Sequence, residues 1–311
     1  MMTSTFNHVL TMNDISKEDL HELLEDALVM KQQVKKGIPH EHLRGKTLGM
    51  IFEKASTRTR ISFEVGMTQL GGHAIFLSPR DMQLDRGESV EDTARVLSRY
   101  VDGIMIRTFS HSMVETFADH SSVPVINGLT DHHHPTQVLA DLMTIYEEKK
   151  QLDGLTMAFV GDGNNNMTHS LIQGAVLAGM NIQVSSPSGY EPSAKVWNEA
   201  EAKAAAQGSG IHFYSNPYKA VTGADVVVTD VWTSMGDEEE AAERLNTFRS
   251  YQVNEALMAK AAEGAMFLHC LPAHRGEEVT AEVIDGPQSH VFDEAENRLH
   301  AQKALLKNLL A

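Results

Sequence analysis

Ser56-Thr57-Arg58-Thr59-Arg60 concentrates hydroxyls and guanidiniums in one short stretch. It follows an apolar run at 48–52 and opens a segment with helical apolar spacing at Ile61, Val65, Met67 and Leu70. The hydroxyls, the arginines and several free backbone N–H groups therefore converge on the first turn of a helix. Such a turn favours a tetrahedral oxyanion through its unpaired donors and the positive end of the helix dipole. Arginine adds a planar fork that grips phosphate at two points. One Ser or Thr would suit an ordinary helix cap; hydroxyls interleaved with two arginines favour a phosphate or carboxylate site.

Further chemical groups lie at the ends of other apolar runs. Arg107 follows the run 103–106, a poor place for a core residue and a good one for a functional cation. His134-Pro135-Thr136-Gln137 brings an imidazole and an amide to the start of a long helical segment, where Pro suits the first turn. The run His132-His133-His134 invites a metal reading, but consecutive residues point in different directions and helical metal ligands want i, i+4 spacing. His134 alone is expected to face a site, with its neighbours partly solvated and no metal bound. Gly161-Asp162-Gly163 begins like a dinucleotide fingerprint, yet Asn164-Asn165-Asn166 replaces the remaining glycine, and a lone GxG is weak. Amides there suit the polar ends of an amino acid as well as an ordinary turn. Asp230 ends the run 225–229 and precedes Ser234-Met235-Gly236, where it could receive a substrate ammonium. Cys270 lies among His269, His274 and Arg275, a setting that favours a thiolate, although a lone cysteine is more often inert. Arg298 read alone suits a surface ion pair.

Positioning these groups requires repeated alternation of strand and helix. Strand patterns fall at 48–52, 74–77, 103–106, 124–126, 156–160, 182–185, 211–214, 225–229 and 266–269. Helical patterns fall at 16–36, with Ser16 and Asp19 in capping-box spacing, from Ser89 with Asp92, from Pro135, and at 168–178, 194–206 and 294–310. Such alternation predicts an α/β fold of two doubly wound parallel-sheet domains of similar size, joined in the polar stretch 147–154. The expected domains are 1–148 together with a returning C-terminal helix at 294–311, and 149–293. Ligands of open α/β sheets bind beyond the carboxyl ends of the strands, and every group named above except Arg298 sits just after one.

Composition bounds the partners. With 26 basic against 42 acidic residues the formal charge is −16, which argues against nucleic acid or an anionic membrane as the main partner. An anion must instead find a local basic pocket. The single cysteine excludes an intrachain disulfide and suits a reducing compartment. With no apolar stretch of membrane-spanning length and no signal-like N-terminus, the expected location is the cytoplasm.

Together, Ser56-Thr57-Arg58-Thr59-Arg60, Arg107, His134-Pro135-Thr136-Gln137, Asn165-Asn166-Met167, Asp230 with Ser234-Met235-Gly236, His269-Cys270-Leu271-Pro272 and Asn297-Arg298 closely resemble the aspartate/ornithine carbamoyltransferase family over essentially the whole chain. Ser234-Met235-Gly236 and His269-Cys270-Leu271-Pro272 resemble its ornithine branch. Asn164 is an extra asparagine before the family's pair.

The resemblance implies transfer of the carbamoyl group of carbamoyl phosphate to the δ-amine of L-ornithine, giving citrulline and phosphate, in arginine synthesis or its catabolic reverse. It implies phosphate contacts from Ser56, Thr57, Arg58, Thr59 and Arg107, with Arg60 also among the carbamoyl-phosphate-binding residues. Thr59, Arg107 and His134 would polarise the carbonyl, with Pro135, Thr136, Gln137, Cys270, Leu271 and Arg298 completing the carbamoyl pocket. Ornithine would meet Asn165, Asn166, Asp230, Ser234 and Met235, and Asp230 with Cys270 would assist proton removal. Members are trimers with sites shared between subunits, which points to the loop 78–84 and to Gln83 on a neighbour's phosphate. No cofactor is implied. Rival readings are a carbamoyltransferase for another amine such as putrescine or an N-acylated ornithine, a nucleotide-dependent dehydrogenase using the Gly161 loop, and a non-catalytic binding homologue.

Overall fold

The computed structural model describes residues 6–78, 80, 82–84, 87–233 and 240–311. Pro79 and Asp81 of the expected neighbour-reaching loop, and Ser234, Met235 and Gly236, lie outside the described residues. The chain order opens with α1 (Lys17–Lys35), β1 (Thr47–Phe52), α2 (Thr57–Gln69), β2 (His73–Leu77), α3 (Val90–Leu97), β3 (Gly103–Arg107), α4 (His111–His120), β4 (Val125–Leu129) and α5 (Pro135–Lys149). It continues with β5 (Thr156–Val160), α6 (Asn166–Leu177), β6 (Asn181–Ser185), α7 (Ala194–Gln207), β7 (Ile211–Tyr214), α8 (Pro217–Val221), β8 (Val226–Thr229), α9 (Ala241–Phe248), α10 (Glu255–Met258), β9 (Met266–His269), α11 (Ala281–Ile284) and α12 (Val291–Leu310).

Each expected strand is present, and the strands form two all-parallel sheets. The chain divides into two compact units, Met1–Met143 with Glu296–Ala311, and Thr144–Ala295. The first holds the sheet β2-β1-β3-β4 and the second β7-β6-β5-β8-β9. In the first sheet the order reverses between β1 and β3; in the second it reverses between β5 and β8. A crevice opens beyond the strands at such a reversal, where adjacent connections leave in opposite directions. Arg107 closes β3, and the segments following β1, β5 and β8 carry Ser56–Thr59, Asn165 and Asp230.

Local chemistry explains most element boundaries. Ser16 Oγ accepts from Asp19 N–H and Asp19 returns the bond to Ser16 N–H, closing the expected capping box of α1. At α3 only half of the expected box forms, with Ser89 Oγ accepting from Asp92 N–H. Helix α6 starts two residues before the expected 168 because Asn165 caps it, accepting from Thr168 N–H at 2.8 Å. Strand β4 runs past the expected 126 through Asn127 and Gly128, both poor strand formers. The extension is tertiary in origin: Asn127 N–H donates to Val9 O, and a Cβ at Gly128 would meet Met105 Sδ at 2.5 Å. Val9 in turn bridges Ile126 in parallel, so the N-terminal segment covers the open edge of β4.

Helix α12 starts at Val291 rather than the expected 294, and from Glu296 onward it belongs to the first unit and is unusually polar. Asn297, Arg298, His300, Gln302 and Lys303 are all buried on it. Burial, reinforced by Lys303, Lys31, Lys35 and His40, pushes the His300 imidazole down to about 3. The unfolded chain binds that proton near pH 6.5 and the folded chain does not. Stability is therefore lost as pH falls from about 6.5 towards 3, by up to about 1.4 kcal/mol per pH unit from this group. Thermal unfolding followed from pH 7 to pH 5 should show a falling midpoint, with a shallower slope in His300→Asn. An equal slope in the two proteins would contradict the assignment.

Among the described residues no helix is long and apolar enough to cross a membrane.

Candidate active site

In the first unit, the apolar run of β1 ends at Phe52 and the chain turns into α2. Ser56 is the N-cap, with extended backbone and its Oγ accepting from Thr59 N–H at 3.1 Å. Thr57 is exposed, Arg58 half-buried and Thr59 fully buried. Thr59 Oγ1 accepts from Arg298 Nη2 at 2.6 Å, a buried contact across 239 positions of sequence. Arg298 is therefore part of this cluster and not the surface ion pair that it suggests in isolation. Because Arg298 occupies a lone pair of the hydroxyl, the Thr59 O–H proton is directed elsewhere, with its polarity reinforced by the cation.

Arg60 turns away from the other arginine of its motif. Two residues along a helix is a rotation of about 200°, so Arg58 and Arg60 face opposite ways. Arg60 is exposed, bonded to Glu64 Oε1 at 2.9 Å, and lies over the Phe76 ring at 3.9 Å. Gln83 is exposed on the loop after β2.

Arg107 closes β3 and is buried; the register with β4 shifts between Ile106 and Arg107, turning the last residue of the strand. Its carbonyl accepts from Glu53 N–H, tying the end of β3 to the turn before α2. Two contacts not anticipated from sequence brace that turn: Glu53 with Thr108, and the buried Lys54 with Asp131. Their sequence signal is position, since all four lie within two residues of the end of a strand.

His134 precedes α5, which begins with Pro135, and is buried with Thr136 and Gln137. Burial holds the His134 imidazole well below its ordinary range, and Arg298, Arg107 and Arg58 push it the same way. The ring is thus neutral at physiological pH and offers one N–H donor, while the guanidiniums supply the charge. Gln137 Nε2 donates to Asp141 Oδ1 at 2.8 Å, which orients the side-chain amide with its oxygen turned away from Asp141. His132 is exposed as expected, but His133 is not solvated. It is buried against the His111 ring with centroids 5.0 Å apart.

In the second unit, the dinucleotide-like turn is filled by the protein itself. A Cβ on Gly163 would sit 2.5 Å from Tyr190 O and 2.8 Å from Ser186 Oγ, so the glycine serves close packing. Asp162 is paired with the buried Arg244, whose guanidinium also lies over the Tyr190 and Phe248 rings. This buried pair was not legible in sequence, because its partners are 82 residues apart. Asn165 Oδ1 is taken by the α6 cap, whereas Asn166 is half-buried in the first turn.

Asp230 and Cys270 meet. Cys270 Sγ donates to Asp230 Oδ1 at 3.1 Å, and the same oxygen accepts from Val231 N–H at 2.8 Å. Burial raises the Asp230 carboxyl above its usual range, partly offset by His269 and by the Cys270 and Val231 bonds. Behind them, Leu271 N–H donates to His269 Nδ1 at 2.9 Å, which assigns the proton of that fully buried ring to Nε2, directed at Glu278 Oε1 3.2 Å away. Leu271 has φ +56°, a left-handed conformation that non-glycine residues seldom adopt, and precedes a cis peptide to Pro272. His269, Cys270 and Asp230 are close enough to share a cation, as are His274, Glu277 and Glu278; among the described residues the 132–134 run forms no such group.

Residues 7–147 match the family description "Aspartate/ornithine carbamoyltransferase, carbamoyl-P binding domain". Residues 153–309 match "Aspartate/ornithine carbamoyltransferase, Asp/Orn binding domain". The chain is 60% identical over 301 residues to the ornithine carbamoyltransferase of Carboxydothermus hydrogenoformans, covering 97% of this chain and 96% of the relative. It is 55% identical over 311 residues to that of Symbiobacterium thermophilum, covering 100% of both. Among solved structures, the ornithine carbamoyltransferase from Pyrococcus furiosus matches with a TM-score of 0.95 at 52% identity, covering 99% of each chain.

Proposed function

The chain belongs to the aspartate/ornithine carbamoyltransferase family, and from that membership and the site geometry we propose that it transfers the carbamoyl group of carbamoyl phosphate to the δ-amine of L-ornithine, releasing citrulline and phosphate. Carbamoyl phosphate belongs to 1–148 with 294–311, and ornithine to 149–293. The observation that carries the first half is the convergence of Arg58, Arg107 and Arg298 on the neutral His134, beside the first turn of α2.

Ser56, Thr57, Arg58, Thr59 and Arg107 take the phosphate, with helix N–H groups adding fixed partial charge. Arg60, held by Glu64 and Phe76, contributes at most through the general field. The Thr59 hydroxyl, Arg107 and the His134 N–H polarise the carbamoyl oxygen and stabilise the tetrahedral oxyanion. Preorganised donors of this kind act where charge develops. The Gln137 oxygen accepts from the carbamoyl NH₂, and Pro135 with Thr136 fixes the start of α5 around it. On the second unit Asn166, Asp230, Ser234 and Met235 take the amino-acid end, and Asn165 holds their helix by capping it. The Leu271 carbonyl and Cys270 meet the δ-amine, which must lose a proton to attack; the Asp230–Cys270 pair supports its removal.

The assembly is a homotrimer in the cytoplasm, with Gln83 reaching a neighbour's phosphate. Ile61, Val65, Ile75 and Phe76 support a self-association surface, since they leave α2 and the edge strand β2 with exposed apolar side chains.

The deciding experiment measures citrulline formation with ornithine, putrescine, aspartate and N-acetylornithine in parallel, on protein whose mass is fixed by light scattering. Turnover confined to ornithine by a particle of three chains is expected. Turnover with another amine would overturn the acceptor, and a monomeric active species would overturn the shared site.

A further inference from the structure

Lys303 is fully buried on α12, and neither of its hydrogen-bond partners is an anion. Its Nζ donates to Gln69 Oε1 at 2.8 Å and to His40 Nε2 at 3.0 Å. His40 can accept because its other nitrogen, Nδ1, lies 3.1 Å from the Ile38 carbonyl and carries the ring proton. Burial pushes the lysine amine down to about 8, so near neutral pH an ammonium is held out of water without a carboxylate opposite it. That arrangement costs stability, and neutral side chains of similar size would avoid the cost.

The placement of the amine gives it a use. Gln69 is the last residue of α2, and Thr59 lies in the first turn of the same helix. Arg298 holds Thr59 and Lys303 holds Gln69, so α12 grips α2 at both ends. Between the two grips the helices pass closely at Gly66, where a Cβ would meet Lys303 Cγ at 3.4 Å and Leu299 Cδ1 at 3.7 Å. A third bond, from Lys31 Nζ on α1 to Asn297 Oδ1 at 2.7 Å, fixes α12 next to Arg298. The Arg298 bond fixes the first turn of α2 and the Lys303 bond its last residue, with the core residues Phe63 and Met67 between them.

We propose that Lys303 is a positioning residue for carbamoyl phosphate, its amine anchoring the far end of α2 through Gln69 and His40 so that Ser56, Arg58 and Thr59 keep their places against Arg298. The inference rests on the assignment of carbamoyl phosphate to the first turn of α2.

The test is steady-state kinetics of the full chain with Lys303→Met, Gln69→Leu, the double variant and Gln69→Glu. Each single loss should raise the KM for carbamoyl phosphate about tenfold while the KM for ornithine stays within twofold of wild type, as expected for coupled contacts in one network. The double variant should be no worse than either single one. Gln69→Glu keeps the accepting oxygen and should retain the wild-type KM. Gln69 is half-buried at a helix end, so Gln69→Leu carries the test even where Lys303→Met does not fold. A carbamoyl phosphate KM within twofold of wild type in Gln69→Leu would overturn the proposal, as would equal losses for both substrates. Absence of citrulline formation by the wild-type protein would instead overturn the underlying carbamoyl-transfer assignment.

Discussion

Arg58→Ala is expected to remove measurable carbamoyl phosphate binding while the protein stays folded. Arg58 stands in the first turn of α2, half-buried, and is one of the three cations that act on His134. Truncating one side of a desolvated, hydrogen-bonded charge pair costs about 2–5 kcal/mol, or roughly 30-fold to several thousandfold in affinity. The fold should survive because Phe63 and Met67, the core residues of α2, lie further along the helix. Arg58→Lys should recover only part of the loss, since an ammonium keeps the charge but not the two-point fork. Isothermal titration with carbamoyl phosphate, and with inorganic phosphate as product, gives both numbers. Affinity unchanged in Arg58→Ala would remove the central assignment of the first unit.

Asp230→Asn should lower kcat/KM for ornithine by about two to three orders of magnitude, leaving the KM for carbamoyl phosphate close to wild type. The carboxylate accepts both the Cys270 thiol and the Val231 N–H, and an amide of the same shape cannot match its charge towards a substrate ammonium. Its carboxyl is raised by burial, so ornithine capture should fail as pH drops through that raised value and the group becomes neutral. In Asp230→Asn that acid limb should be missing from the pH profile. Stability runs the other way: the buried charge is a cost above the raised value, and the melting temperature of Asp230→Asn should not fall below wild type near neutral pH. Cys270→Ala should retain part of the turnover, because the thiol assists proton removal and forms no bond to carbon. A covalent carbamoyl-thioester trapped on the wild-type protein would contradict that role, and a wild-type acid limb in Asp230→Asn would contradict the first.

Arg58 and Asp230 differ in how legible they are from sequence. Arg58 was readable as an anion ligand because its neighbours in sequence are its neighbours in space: the end of a strand, an N-cap and a first turn are all set within a few residues. The strands were readable for the same reason, since parallel strands buried on both faces appear as short apolar runs between turn residues. Helix α4 is harder to delimit from sequence, because its fully buried side chains are Val114 and Phe117, with Met113 and Ala118 only partly buried against the same core. Arg60 has a different setting in the folded chain. Its residue type fits the motif, but the helical rotation turns it towards Glu64 and Phe76.

The sequence by itself determined the α/β alternation, the caps at Ser16 and Ser56, and the family, because these depend on residue type and short spacing. Only the tertiary structure decided that Arg298 bonds Thr59, that Asp162 belongs to Arg244, that His134 is neutral, and that Lys303 reaches Gln69. Each of those depends on groups far apart in the chain brought into a medium of low dielectric. There, burial and neighbouring charge set what a side chain does, and neither quantity is a property of the residue alone.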